Sequence, residues 1–112
     1  MKVRHYKTTG GKDLILDYIY SLSNPEVVDG LSVLNKFKND ELDQLIIKTW
    51  QGKIKEVYFY KHNRIFYVIV EEEVAYMLHA CRKQKNKTEQ KDSDIIIKRA
   101  KELGNALSKK FI

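Results

Sequence analysis

Cysteine and proline are almost missing from this chain of 112 residues, which holds one of each, Cys81 and Pro25, and only five glycines. A single cysteine cannot close an intramolecular disulfide, so the core must hold without a staple and a reducing cytoplasm is the expected setting. No secretory signal pattern with an apolar h-region precedes the first polar cluster, which points the same way. Long apolar runs are lacking as well. Lys, Glu and Asn interrupt every candidate before the roughly 20 residues that a membrane-crossing helix needs, so a soluble chain with no membrane-spanning segment is expected. Fixed-spacing catalytic frames are also scarce. His79 and Cys81 could approach one metal from a single strand face, but His5 and His62 are the only other histidines and no CxxC or HxxxH spacing accompanies them, so no zinc site is expected. "TTGGKD" holds a Gly-Lys pair without the frame that cradles nucleotide phosphates, and no G-x-S-x-G elbow occurs. Nothing in the sequence marks Cys81 as a nucleophile.

What the chain does have is positive charge. Lys and Arg number 21 against 15 Asp and Glu, giving a formal charge of +6 and a pI near 9.3. That balance favours phosphate polymers, anionic membranes or acidic protein segments as partners, and says nothing about the fold. With 43% hydrophobic residues the chain can bury one core, so a single domain over residues 1–112 is expected.

The periodicities predict an α+β fold. "KVRHYKT" alternates as a first strand and Thr8-Thr9-Gly10-Gly11 breaks it. Leu14, Ile15, Tyr18, Ile19 and Leu22 recur at helical spacing over 12–22, and Val27, Val28, Leu31, Leu34 and Phe37 repeat the pattern over 25–38, with Pro25 at a helix start. The two should form a helical hairpin. "LIIKTW" reads as a short strand, and "KIKEVYFYK", "RIFYVIV" and "VAYMLHAC" follow as an antiparallel meander with "HN" and "EEE" as tight turns. From Thr88 on, Ile95, Ile96, Ala100, Leu103 and Leu107 form a closing helix. One sheet face must be covered by helices; the other is free to stay open.

Strand parity then selects side chains. If Val57 and Phe59 point at the helices, then Glu56, Tyr58 and Tyr60 face the open side, with Lys53 and Lys55 at the rim. Arg64 opens the next strand and Lys83 closes the last, so both sit at strand ends where cations can converge on a phosphate. The plain alternative for Arg64 is an ion pair with Glu56, Glu71 or Glu72. His79 shares parity with Met77, Cys81 and Lys83, and is either a hydrogen-bonded structural histidine or a proton-transfer group. Arg82, Lys83, Lys85 and Lys87 form a basic cluster beside Tyr58, Tyr60, Tyr67 and Tyr76. Cations with aromatic faces suit single-stranded RNA; a solvated basic loop is the bland reading.

The order of these strings resembles the phage-derived branch of the RelE/HigB toxin superfamily over nearly the whole chain. The resemblance rests on "YKTTGGKDLILDYIYSL", "GKIKEVYF", "NRIFYVIV", "MLHACRKQKNKT" and the "IIIKRAKEL" helix. It implies a RelE-like fold and the toxin of a type II toxin–antitoxin pair. The implied activity is that of an mRNA interferase, a metal-independent endoribonuclease that cuts the codon in the ribosomal A site by attack of the ribose 2′-OH. Arg64 and Lys83 would carry phosphate charge, with His79 or Glu56 as proton-transfer groups and Tyr58 as an orienting or acid group. Lys53, Lys55, Arg82, Lys85 and Lys87 would hold the RNA. The implied partners are a HigA-like helix-turn-helix antitoxin, mRNA on the ribosome, and promoter DNA only through the antitoxin complex, with no cofactor. Two positions depart from the branch: Tyr58 stands where it typically has Arg, and Gln84 where it has a second Lys. The alternatives are a ParE-like gyrase-inhibiting toxin and a non-enzymatic nucleic-acid-binding module.

Overall fold

The computed structural model describes residues 1–83 and 87–112, and its elements follow the apolar periodicities closely. They are β1 (Lys2–His5), α1 (Leu14–Tyr20), α2 (Asn24–Lys38), a 3₁₀ turn (Leu42–Gln44), β2 (Ile47–Gln51), β3 (Ile54–Phe59), β4 (Asn63–Glu71), β5 (Val74–Arg82) and α3 (Gln90–Leu107). Asp13 starts α1 by accepting from the backbone N–H groups of Ile15 and Leu16, while its other oxygen meets His5 Nδ1 at 2.9 Å. One carboxylate thus caps the helix and ties it to the first strand. The fold is α+β with a five-stranded sheet in the order β1-β5-β4-β3-β2, compatible with a RelE-like fold.

β2 to β5 form the expected antiparallel meander, but β1 runs parallel to β5 and makes the sheet mixed. The helical hairpin supplies the crossover that a parallel neighbour requires. On one face Ile15, Ile19, Val33, Leu34 and Phe37 of the hairpin pack on Val57, Phe59, Ile65, Tyr67, Ala75 and Met77. Fully burying side chains of this size contributes roughly 1.5–3 kcal/mol each.

The opposite face is not left open along its length, as the parity reading expected. Ile96 and Ala100 of α3, with Phe111 beyond it, cover Ile54, Phe66, Val68 and Leu78. The reason lies in the strands themselves: Phe66, Val68 and Val70 are apolar on a face that water would otherwise reach, so β4 needs cover on both sides. The end of this face that carries Tyr58, Arg64 and Lys83 has charged groups where the middle of β4 has apolar ones.

Two local features change what faces where. The β4–β5 register shifts at Phe66/Tyr67, so that Phe66 pairs with His79 while Tyr67 pairs with Met77. This irregularity puts Met77 on the hairpin face and His79 on the α3 face, whereas strict alternation gave them one face. The β3–β4 connection runs through Tyr60, Lys61 and His62, with φ of 31° at Tyr60 and 67° at Lys61. Tyr60 therefore leaves the strand, and its backbone N–H donates to Asp29 of α2 instead of its ring joining Glu56 and Tyr58.

Candidate functional site

Cross-strand register builds the site in two adjacent rows. Tyr58, Arg64 and Cys81 are direct neighbours on β3, β4 and β5; the next row holds Lys48, Glu56, Phe66 and His79. Side chains directly opposite or diagonal across a strand pair lie within reach of one another, so Lys48, Glu56, Tyr58 and Arg64 are brought together at this corner.

Glu56 is its centre. Its Oε1 lies 3.5 Å from Arg64 Nε and 3.3 Å from Lys83 Nζ, and all three residues are buried, with 3% of Glu56 and 8% of each cation exposed. Arg64 lies over Tyr58, its guanidinium carbon 3.6 Å from the ring centroid, and Lys48 Nζ stands 5.0 Å from the same ring. Nη1 of Arg64 donates to the carbonyls of Asn63 and Lys61, while buried Nε has no hydrogen-bond acceptor among the described residues. Two buried cations share one carboxylate, leaving a surplus of positive charge and of donors. Such a surplus is costly unless an anion satisfies it.

The other expected residues are distributed as follows. His79 lies on the same face, two strands from Glu56 with Phe66 between, roughly 10 Å away by strand spacing. Both its nitrogens are engaged: Nε2 meets Asp92 Oδ1 at 2.8 Å and Nδ1 faces Arg99 Nη1 at 3.3 Å. Burial depresses its pKa, more than the Asp92 contact raises it, so the ring is neutral with Nε2–H donating and Nδ1 accepting. Burial pushes the Cys81 thiol up to about 12, which leaves it protonated and a poor nucleophile. Arg82 points to the hairpin side, where its Nη2 lies 2.7 Å from Glu26 Oε2. There Glu26 also accepts from Asn63 and Ser23, and Tyr18 Oη donates to Asn63 Oδ1 at 2.6 Å.

Lys53 and Lys55 are exposed but stand apart from Glu56: Lys53 is in the β2–β3 turn with its N–H on the Phe111 carbonyl, and Lys55 shares a face with Val57. Tyr67 is buried against Phe37 and cannot stack on a base. Lys87 is exposed; Lys85, with Gln84, lies outside the described residues. Lys48 is the residue of this corner that sequence reasoning missed. Its place depends on the β2–β3 register, which sets Lys48 against Glu56 and which the string "LIIKTW" alone does not fix.

A family model described as phage-derived protein Gp49-like (DUF891) matches residues 17–101, well over half of the chain and every residue of this corner. The chain belongs to the Gp49-like family. This is a toxin-like, phage-derived family related to the RelE/HigB toxins, which gives the chain the toxin–antitoxin theme and suggests an antitoxin as partner. A search of curated proteins finds no match. No described helix is long and apolar enough to cross a membrane.

Proposed function

We propose that this Gp49-like protein is the toxin of a type II toxin–antitoxin pair and acts as an endoribonuclease on the codon in the ribosomal A site. The observation that supports the reading most is the surplus at Glu56: Arg64 of β4 and Lys83, just past the end of β5, converge on one carboxylate, with Arg64 Nε left without an acceptor among the described residues. A phosphodiester supplies the missing negative charge and acceptors. RelE-type relatives are nucleases, which fits the same chemistry.

In this reading the ribose 2′-OH attacks the adjacent phosphorus, the 5′ oxygen leaves, and a 2′,3′-cyclic phosphate forms. Arg64 and Lys83 stabilise the phosphorane, where charge develops in a site largely shielded from water. Glu56, freed as the phosphate takes its cations, accepts the 2′-OH proton in this reading. Tyr58 holds the guanidinium plane through its stacked ring, with its hydroxyl as the candidate acid. His79 is a positioning group that fixes α3 to β5, because neither nitrogen is free. Exposed Lys48, Lys53, Lys55, Lys61 and Lys87 attract the RNA backbone, and Arg82 serves the Glu26 network. The neutralising partner is a HigA-like helix-turn-helix antitoxin through which the pair reaches its promoter.

The test is induction in cells. The parent chain should arrest growth and leave codon-phased ends on translated mRNA by primer extension. The Arg64→Ala, Lys83→Ala double variant should lose both by a factor of about 100 or more, the scale of removing transition-state charge stabilisation. Arrest by a folded double variant removes these roles; arrest without RNA cuts removes the nuclease reading and leaves gyrase inhibition or non-enzymatic nucleic-acid binding in its place.

A further inference from the structure

Cys81 has no part in the chemistry proposed above, yet the fold sets it beside two other metal-binding groups. His79, Cys81 and Asp92 each present a ligand atom, and these atoms lie within 4.8 Å of one another. Two come from β5 and the third from the first turn of α3, more than ten residues along the chain, so no spacing motif announces the set. Nitrogen, sulfur and carboxylate oxygen together suit a borderline-soft divalent ion such as Zn²⁺, which takes three protein ligands and keeps a fourth position for water.

The geometry needs only side-chain adjustment. Tetrahedral bonds of about 2.0–2.3 Å place ligand atoms roughly 3.3–3.6 Å apart. Reaching that arrangement opens the 2.8 Å contact between His79 and Asp92 slightly and draws the thiol inward by about 1 Å. Charge also balances, since one thiolate and one carboxylate neutralise a divalent ion and the buried centre carries no net charge. A solvent-facing cleft lined by Tyr18, Cys81, Arg82, Glu89, Lys91 and Asp92 gives access to the thiol and the carboxylate. Arg99 opposes binding, because a metal-bound imidazole keeps an N–H at Nδ1 where this guanidinium now donates; the same Nη1 also donates to the Leu78 carbonyl at 2.9 Å, so Arg99 must shift when the metal binds.

We propose that His79, Cys81 and Asp92 form a three-ligand site for a thiophilic divalent metal ion, which clamps β5 to α3. The site is structural, independent of the nuclease reading, and binding releases the thiol proton to solvent.

The test uses the purified full chain, reduced and stripped with a chelator, titrated with Co²⁺ and then with Zn²⁺. One equivalent of Co²⁺ should raise a near-ultraviolet thiolate-to-cobalt absorption that Zn²⁺ abolishes. Cys81→Ala should remove the band. Asp92→Asn, which keeps an oxygen acceptor for His79 and so preserves the fold by circular dichroism, should weaken binding at least tenfold. Absence of a thiolate band in the parent chain overturns the proposal, as does an affinity unchanged by Asp92→Asn. If Cys81→Ala does not fold, the parent's band and the Asp92→Asn affinity decide the matter alone.

Discussion

At the scale of single residues, two buried carboxylates carry opposite burdens. Glu56 faces more positive charge than it can neutralise, while Glu26 is satisfied by Asn63, Ser23 and Arg82. The hydrogen bond from Asn63, then that from Ser23, with Arg82 adding attraction, lowers the Glu26 pKa from its ordinary value of 4.5. A carboxyl depressed in the folded state contributes stability that is complete above its unfolded value and is lost as pH falls through its folded value. Chemical denaturation from pH 7 down to 3 should therefore show the parent chain losing stability below about pH 4.5 more steeply than Glu26→Gln, which has no proton to take up. Parallel pH profiles for the two would mean that this network does not tie the hairpin to β4 and β5. The sequence pointed to Glu56, Arg64 and Lys83 because strand ends and parity are visible in it. It did not point to Glu26, Asp92 or Lys48, whose partners lie on other elements and depend on register and helix placement.

At the scale of elements, the close approach of α2 to β3 turns on Gly30. A Cβ there would lie 3.0 Å from Phe59 Cε2 and 3.1 Å from Ile19 Cγ2. Replacing a helical Gly by Ala gains up to about 1 kcal/mol in propensity, but overpacking a core costs about 1–3 kcal/mol. Ile19 and Phe59 are 0% and 3% exposed and have nowhere to move, so the steric cost wins. Gly30→Ala should lower unfolding free energy by about 1–2 kcal/mol, read from the denaturant midpoint at constant slope. The helices and the meander were legible because 3.6- and 2-residue periods follow directly from backbone geometry. Where strict period failed, a specific event intervened. The register shift beside His79 reversed its relation to Met77, positive φ at Tyr60 turned that ring away, and the doubly apolar β4 brought α3 over a face that alternation alone left uncovered.

At the scale of the whole molecule, the cations differ in burial: Arg64 and Lys83 are buried at the corner, whereas Lys48 stands in solvent beside Tyr58 and exposed Lys61 lies over the Tyr60 ring, so the proposed nuclease reading gives them different parts. Exposed lysines act through the counterions they displace, so their share of binding depends on salt, while buried cations act on a phosphate already in place. Affinity for mRNA-programmed ribosomes should fall linearly on a log–log plot as salt rises, with a slope of about 0.7–0.9 per phosphate contact. Replacing Lys48 and Lys61 by Ala should make that slope shallower by up to about 1.5 and weaken binding, yet leave the cleavage rate at saturating ribosome within a few-fold of the parent. Arg64→Ala should do the reverse, cutting the saturated rate about 100-fold with a slope change near 1 or less. If the lysine pair and Arg64 changed slope and saturated rate alike, the corner would be one undivided binding surface, and the separation of an attracting rim from a reacting centre would fall.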